Sequence, residues 1–208
     1  MVLHSAEAED DCCDWFFPAI TGDLDRLKEM VSTRLNGGNL ANTLASYKGR
    51  YGQTVFHFAA SAGSIRICQY LVEELNLNVD DFISDEGLTP LHSAIAGESY
   101  DVAFYLLNKG ANPNAAEKRG LTPLHMAAKI DMGLFFSLCC FWLTRLCLQA
   151  GADPNLVSLG QTPLGVAAAI GDVEMIKCLL NAGADPNVPS TRLSNAGADP
   201  NVLNHVSF

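Results

Sequence analysis

The stretch Gly120 to Ala128 reads Gly-Leu-Thr-Pro-Leu-His-Met-Ala-Ala, and copies of it recur on both sides along the chain. An earlier copy begins at Gly87, a later copy begins at Gly160, and a worn copy, Gly-Gln-Thr-Val-Phe-His-Phe-Ala-Ala, begins at Gly52. Gly120 follows Gly87 by 33 residues. A period of this length indicates stacked units, because one such unit cannot bury its apolar face without its neighbours.

Each copy predicts a helix, and a second helix is predicted to follow it. In the third repeat, Thr89 is placed to cap the first helix and Pro90 suits its first turn, while Gly110 ends the second helix. Asn76 stands where later repeats carry glycine, and asparagine also accepts a left-handed conformation. In the first and last repeats, the second helix shows apolar residues at helical spacing: Leu24, Leu27 and Val31, then Val173, Ile176 and Leu180.

The motif Thr-Pro-Leu-His-x-Ala at a spacing of 33 residues resembles the ankyrin repeat, and the resemblance covers most of residues 15 to 188. It implies an all-α fold, a solenoid of stacked helix-turn-helix units joined by extended hairpin loops. It also implies that the histidine of each motif (His57, His92 and His125) holds its loop and the threonine three residues earlier by hydrogen bonds. Gly165 replaces this histidine in repeat five, which predicts a looser repeat.

The repeats divide the chain into three parts. Residues 1–13 are expected to form an acidic flexible N-terminus, residues 14–188 an ankyrin-repeat domain of about five repeats, and residues 189–208 an irregular tail. Residues 32–49 read as a long connection before repeat two. The tail repeats the eight letters Asn-Ala-Gly-Ala-Asp-Pro-Asn-Val without a helix pair and supplies no polar capping repeat, so we expect a longer parent protein.

A phrase in repeat two carries a second resemblance. Val72 to Asp80 is similar to plant ankyrin proteins that continue into tetratricopeptide repeats, and this chain contains no such second module. The chain thus resembles a truncated relative of that group.

Repeat four contains an irregular insertion. His125 and Gly151 are 26 residues apart, whereas His92 and Gly110 are 18 apart, and the additional residues lie near the apolar run 133–142. The run is shorter than the roughly 20 residues that a membrane span needs. Three interpretations stay open: an extended second helix or apolar flap, a membrane-inserting segment, and a misjoined stretch in a gene model.

Composition excludes several classes of function. With 49% hydrophobic residues the chain can bury a core, and its net charge of −10 disfavours binding to nucleic acid or to anionic membranes. Five acidic residues lie within the first fourteen, so the repeat body is only mildly acidic. Seven cysteines, an odd number, fall mostly in helical segments and indicate a reducing compartment. We expect a cytoplasmic protein, with the nucleus as the alternative location.

Residue types that often carry catalysis have structural interpretations here. Asp153 and Asp185 each precede Pro-Asn in a turn, and the adjacent pairs Cys12-Cys13 and Cys139-Cys140 lack the spacing of a zinc site. Phosphate-binding loops, nucleophile elbows and His-Glu-x-x-His motifs are missing from the sequence. We therefore predict no enzyme activity, no cofactor and no metal.

The resemblance implies that a partner protein lies against the loop tips and the inner face of the first helices. The tips, read as the residues before each Gly-x-Thr, are Arg50, Tyr51, Asp85, Glu86, Lys118, Arg119, Ser158 and Leu159. The inner positions, which follow the histidine of each motif, are Phe58, Ser93, Met126 and Val166. This predicts a row of alternating charge above apolar residues, in which Tyr51, Phe58 and Met126 are the best candidates for strong contacts.

Two functions follow from these residues. The favoured one is a protein-protein interaction module, an adaptor or scaffold with an unidentified protein partner. The alternative is a membrane-associated ankyrin regulator that uses the apolar segment 133–142, although membrane association is unlikely for so short a run.

Overall fold

Pairs of short helices follow one another along the chain, as the 33-residue period predicts. A computed structural model describes residues 6–34, 40–129 and 137–188. Within these residues there are eleven α-helices and, in place of strands, one isolated bridge between Ser158 and Gln161. The helices are α1 (Ala6–Thr21), α2 (Leu24–Arg34), α3 (Leu40–Ser46), α4 (Val55–Ser61), α5 (Ile65–Gln69, continued by a π-helical turn Tyr70–Glu74), α6 (Pro90–Ala96), α7 (Tyr100–Asn108), α8 (Pro123–Lys129), α9 (Ser137–Gln149), α10 (Pro163–Ile170) and α11 (Val173–Asn181).

The helices form two rows. The first helices of successive repeats, α1, α4, α6, α8 and α10, pack side by side, and α5, α7, α9 and α11 form the second row behind them. The core lies between neighbouring repeats, because the same motif position is buried in every first helix: Trp15, Phe56, Leu91, Leu124 and Leu164. Packing of neighbouring repeats against one another keeps such side chains from water, which is why the units stack.

The helix starts follow the predicted capping chemistry. The Thr89 hydroxyl accepts a hydrogen bond from the backbone N–H of His92 at 3.5 Å, and Pro90 occupies the first turn of α6. Thr162 accepts in the same way from the N–H of Gly165 at 3.1 Å, so the cap survives in repeat five without its histidine. Asn76 has the predicted left-handed backbone, with φ of 52°.

Each buried histidine joins its own repeat to the next one. In His57, Nδ1 accepts from the N–H of Thr54 at 3.2 Å, and Nε2 lies 2.8 Å from the carbonyl oxygen of Leu88 in the following repeat. Because Nδ1 is an acceptor, the neutral ring carries its proton on Nε2 and donates it forward. The rings of His92 and His125 make the equivalent forward contacts at 3.3 and 3.2 Å, to the carbonyl oxygens of Leu121 and Gln161.

A second series of bonds joins the turns at the opposite end of the hairpins. The Asn114 side chain accepts from the N–H of Asp153 at 2.8 Å and donates to the carbonyl oxygen of Gly151 at 3.1 Å. Asn155 makes the same two bonds to Asp185 and Gly183. The carboxylates of Asp153 and Asp185 accept from backbone N–H groups two residues later, which is the turn chemistry expected of them.

Two predicted boundaries differ from the structure. Helix α1 begins at Ala6, so most of the expected flexible segment 1–13 is helical, and residues 1–5 lie outside the described part. Acidic residues at 7 and 9 to 11 suit the N-terminal turns of a helix, where the helix dipole favours negative charge. The long connection 32–49 contains α3, which is held by the fully buried Leu44.

The insertion of repeat four lies partly in α9. This helix has 13 residues, whereas α7 and α11 have nine each, so part of the apolar run 133–142 lengthens the second helix at its N-terminal end. Residues 130–136 lie outside the described part of the chain, as does the tail 189–208. Across residues 6–34, 40–129 and 137–188, the helices all lack the combination of length and apolar composition needed to cross a bilayer.

The histidine series predicts a loss of stability in acid. Burial is the main cause that lowers the pKa of His92 from 6.5 to about 4, and it also lowers the pKa values of His57 and His125. The folded state therefore binds fewer protons than the unfolded chain, so stability is complete above pH 6.5 and falls as the pH drops toward 4. For His92 alone we expect a loss of about 2 kcal/mol at pH 5, measured by urea denaturation.

The control for this prediction is His92→Gln. Glutamine occupies the same position in a capping box and does not titrate. This variant should lose less stability than the native chain between pH 7 and pH 5. Equal losses in the two proteins would show that His92 is not responsible.

Candidate functional site

The hairpin tips between repeats are all closed by the same kind of backbone hydrogen bond. In each hairpin one residue donates its backbone N–H to a carbonyl oxygen on the other side of the tip, and we call this donor the base residue. In the first three hairpins three residues lie between the donor and the acceptor. In the last hairpin only Leu159 and Gly160 lie between them. The four pairs are Gly49 to Gln53 at 2.7 Å, Ser84 to Leu88 at 2.9 Å, Glu117 to Leu121 at 3.0 Å and Ser158 to Gln161 at 2.8 Å.

Neighbouring tips are hydrogen-bonded to one another, so they form a continuous row. The N–H of Asp85 donates to the carbonyl oxygen of Tyr51 at 3.0 Å. The N–H of Lys118 donates to the carbonyl oxygen of Glu86 at 2.8 Å. The Ser158 hydroxyl completes the row by donating to the Arg119 carbonyl oxygen at 3.0 Å. The spacing of the tip side chains is thus fixed by the backbone.

The tip side chains are exposed and alternate in charge. Tyr51 is 61% exposed, has a left-handed backbone with φ of 64°, and lies 5.3 Å from the guanidinium of Arg50. At the next tip, Lys48 contacts Asp85 at 3.2 Å, and this exposed pair contributes little stability. The first tip is basic and carries an aromatic ring, the second tip is acidic, the third is basic and the fourth is apolar.

Glu117 fixes the third tip from beneath. Its buried carboxylate accepts from the N–H of Arg119 at 2.9 Å and from that of Leu121 at 3.2 Å. The side chain of Arg119 contacts the same carboxylate through Nε at 3.4 Å and otherwise stays exposed. Two basic residues therefore project from a tip whose negative charge is buried.

The inner-helix residues are less accessible than the sequence predicts. Phe58 is half-buried against Phe16, with ring centres 4.5 Å apart, and Ser93 and Val166 are buried. Met126 is half-buried and packs against the core. The neighbouring repeats cover these positions, so the accessible part of the predicted face consists mainly of the tips.

Comparison with known proteins agrees with this geometry. A family model described as ankyrin repeats (3 copies) matches residues 16–117 and 111–190. The chain belongs to the ankyrin-repeat family. Proteins of this family typically have no catalytic activity and generally bind other proteins.

Several curated ankyrin-repeat relatives are similar over part of their length. The nuclear factor NF-kappa-B p105 subunit of Gallus gallus is 31% identical over 163 residues, which are 77% of this chain and 16% of that protein. Ankyrin repeat domain-containing protein 53 of Homo sapiens is 44% identical over 82 residues, 38% of this chain and 15% of that protein. The RelA-associated inhibitor of Mus musculus is 40% identical over 73 residues, 35% of this chain and 9% of that protein. The chain therefore spans less than a fifth of each relative.

The structure corrects the assignment of Ser158. Counting back from Gly160 placed Ser158 at the tip, but it is only 3% exposed and occupies the base position of Ser84 and Glu117. The reason is that the last ankyrin hairpin is one residue shorter than the others. Leu159 alone remains at this tip, exposed and in a left-handed conformation.

A second exposed row was missed from the sequence. Residues before the buried base positions point to the opposite side of the hairpin, because side chains alternate along an extended segment. These residues are Lys48, Ile83, Ala116 and Val157, all exposed. The alternation of Ile83 with Ser84, and of Val157 with Ser158, is the signal that would have identified them.

The described residues offer no alternative chemistry. Within the described ranges, clusters of three or more His, Cys, Asp or Glu side chains able to hold a metal ion are absent. Cys68 and Cys147 are buried thiols whose pKa burial raises to about 12, so they behave as small apolar residues. His57, His92 and His125 are occupied by the contacts between repeats.

The position of Ser158 generates a prediction. Ser158→Ala removes the hydroxyl that joins the last two tips, so the free energy of unfolding should fall by about 1 kcal/mol in urea denaturation. Ser46→Ala is the matched control, since its exposed hydroxyl bonds only within its own helix, and it should change stability by less than about 0.5 kcal/mol. Equal effects of the two substitutions would contradict a structural role for Ser158.

Proposed function

We propose that this chain is a protein-protein interaction module that binds a partner protein through its hairpin tips, without catalysis or a cofactor. The observation that carries the proposal is the row of exposed tip side chains, held at fixed spacing by backbone bonds between repeats. A prearranged surface loses little conformational freedom on binding. An adaptor or scaffold role fits this surface, and we propose the cytoplasm or the nucleus as its location.

The strongest contacts should come from exposed apolar side chains on the hairpins. Tyr51, Ile83 and Leu159 are each more than half exposed, and Val157 lies beside Leu159. Around them lie Arg50, Glu86, Lys118 and Arg119, whose charges would govern the rate and selectivity of encounter. We assign the partner contacts to these residues, with Asp85 and Met126 at the margin, and place Phe58, Ser93, Ser158 and Val166 in the supporting structure.

Relatives support the class of function without identifying the partner. The RelA-associated inhibitor is named for its association with another protein, and it aligns with 35% of this chain. The net charge of −10 disfavours a nucleic-acid partner.

The membrane-associated alternative depends on residues 133–142. Of these residues, the structure describes the side chains of 141 and 142. Flotation of the full chain with phosphatidylcholine and phosphatidylserine vesicles tests it. A chain that floats with vesicles supports this alternative, and a chain that remains at the bottom of the gradient removes it.

The proposed face is tested by a triple substitution. Tyr51→Ala, Ile83→Ala and Leu159→Ala together should reduce recovery of cross-linked partner proteins at least tenfold, because they remove the apolar contacts at two tips and one apolar contact of the second exposed row. These side chains are largely exposed, so the denaturation midpoint should change little. Arg66→Ala, on the exposed side of α5, is the control and should leave recovery unchanged.

Lys118→Glu tests the charges separately. It should slow association and alter its dependence on salt more than it changes dissociation.

Unchanged partner recovery by the triple variant would refute the proposed face.

A further inference from the structure

The turns that follow the second helices are joined to one another by the same side-chain bonds, repeat after repeat. Asn155 accepts from the N–H of Asp185 at 2.7 Å and donates to the carbonyl oxygen of Gly183 at 3.1 Å. Asn114 makes the same two bonds to the turn of repeat four. The carboxylate of Asp80 begins the series, because it accepts from a backbone N–H in the turn of repeat three at 3.0 Å. Each of these turns thus binds the turn that follows it.

Asn187 occupies the same position in the turn of repeat five, and the described residues end directly after it, at Val188. It is exposed, and its Nδ2 lies 3.1 Å from the carboxylate of Asp185 in its own turn. That carboxylate already accepts the backbone N–H of Asn187 at 2.8 Å. In Asn114 and Asn155 the Nδ2 donates forward instead. The forward bonds of Asn187 therefore have no partner within the part of the chain that the structure describes.

The two complete pairs of bonds define what a partner for Asn187 must contain. The amide oxygen accepts a backbone N–H, and the amide nitrogen donates to the carbonyl oxygen two residues earlier. In both cases the partner reads Gly-Ala-Asp-Pro-Asn, beginning at Gly151 or at Gly183, and its alanine is buried. A segment with the same five residues would match the Asn187 amide.

The chain carries a third copy of these five residues at 197–201, outside the described part. Gly183 follows Gly151 by 32 residues, whereas Gly197 follows Gly183 by only 14, so the third copy has no helix pair before it. The linker 189–196 can span at most about 30 Å. Packed helices lie roughly 8–10 Å apart, and one turn is offset from the next by a similar distance. The linker is therefore long enough to bring the third copy to Asn187.

We propose that the turn of repeat five is a docking site for residues 197–201 of the same chain. The Asn187 amide oxygen accepts the N–H of Asp199, and Nδ2 turns from its own carboxylate to the carbonyl oxygen of Gly197. The third copy then extends the series of turns by one member without a further helix pair. Two hydrogen bonds can hold it, because a short linker keeps the segment at an effective concentration on the order of millimolar.

The docking site is separate from the partner-binding surface proposed above. Asn187 follows α11, the last second helix, and the proposed contact includes none of the hairpin tips. Loss of the docked segment leaves Tyr51, Ile83 and Leu159 in place. Capture of a partner protein and docking of residues 197–201 can therefore fail or succeed independently.

Hydrogen exchange of the Asp199 backbone amide, followed by NMR spectroscopy of the full chain, tests the contact. A free synthetic peptide of residues 189–208 provides the exchange rate of the unbonded amide. We expect the Asp199 amide to exchange at least about fivefold more slowly in the chain than in the peptide, because a bonded amide must open before it exchanges. Equal rates in the chain and the peptide overturn the proposal.

Asn187→Ala should abolish this protection, since it deletes both forward bonds. The Asp185 amide, which Asn155 binds, should stay protected and reports that repeat five is intact. Asn201→Ala is the matched control, because the same residue stands in the third copy and no fourth copy follows it in the sequence. It should leave exchange of the Asp199 amide unchanged. Protection that survives Asn187→Ala, or that both variants abolish equally, contradicts docking on Asn187.

Dilution distinguishes the chain's own segment from that of a second copy. Docking within one chain does not depend on protein concentration, so the Asp199 amide should exchange equally fast at about 50 µM and at about 1 mM. Protection that appears only at the higher concentration would identify a second copy as the occupant, and docking within the chain would be overturned.

Discussion

A neutral imidazole that bonds backward to its own helix cap and forward to the next repeat is the contact on which the stack depends. In His92, Nδ1 accepts from the N–H of Thr89 while Nε2 lies against the Leu121 carbonyl oxygen. The bond pairs buried backbone groups that would otherwise be costly to leave unsatisfied. It also ties the first helix to the base of the following hairpin, so it acts together with the bonds between the tips in holding the row of tips.

The fold could be predicted from the sequence because its determinants are local and repeated. Thr89 and Pro90 specify a helix start through cap chemistry, and Asn76 specifies a left-handed turn, without reference to distant residues. The boundaries that differed depend on tertiary contacts. Helix α3 is short and lies in a segment rich in Gly, Asn and Ser, and only the burial of Leu44 against the rest of the core explains it.

The binding surface was less predictable, because exposure depends on neighbouring repeats. The sequence identified Tyr51 and Lys118 as exposed tip residues, but it could not show that Phe16 covers part of Phe58. Ser158 was misplaced because one missing residue shifts the register of a hairpin, and a motif aligned on its glycine conceals that shift. The exposure of Phe104 and Trp142 was not predicted, since periodicity alone does not distinguish an exposed aromatic residue from a buried one.

Gly165 gives the series of contacts between repeats a direction and an end. Each imidazole donor belongs to one repeat and its acceptor to the next, so each of these bonds requires that a following repeat be present. In repeat five glycine has no ring, and only the helix cap at Thr162 remains. This repeat therefore needs no acceptor on a following repeat, and the substitution that removes the forward contact leaves the start of its helix intact.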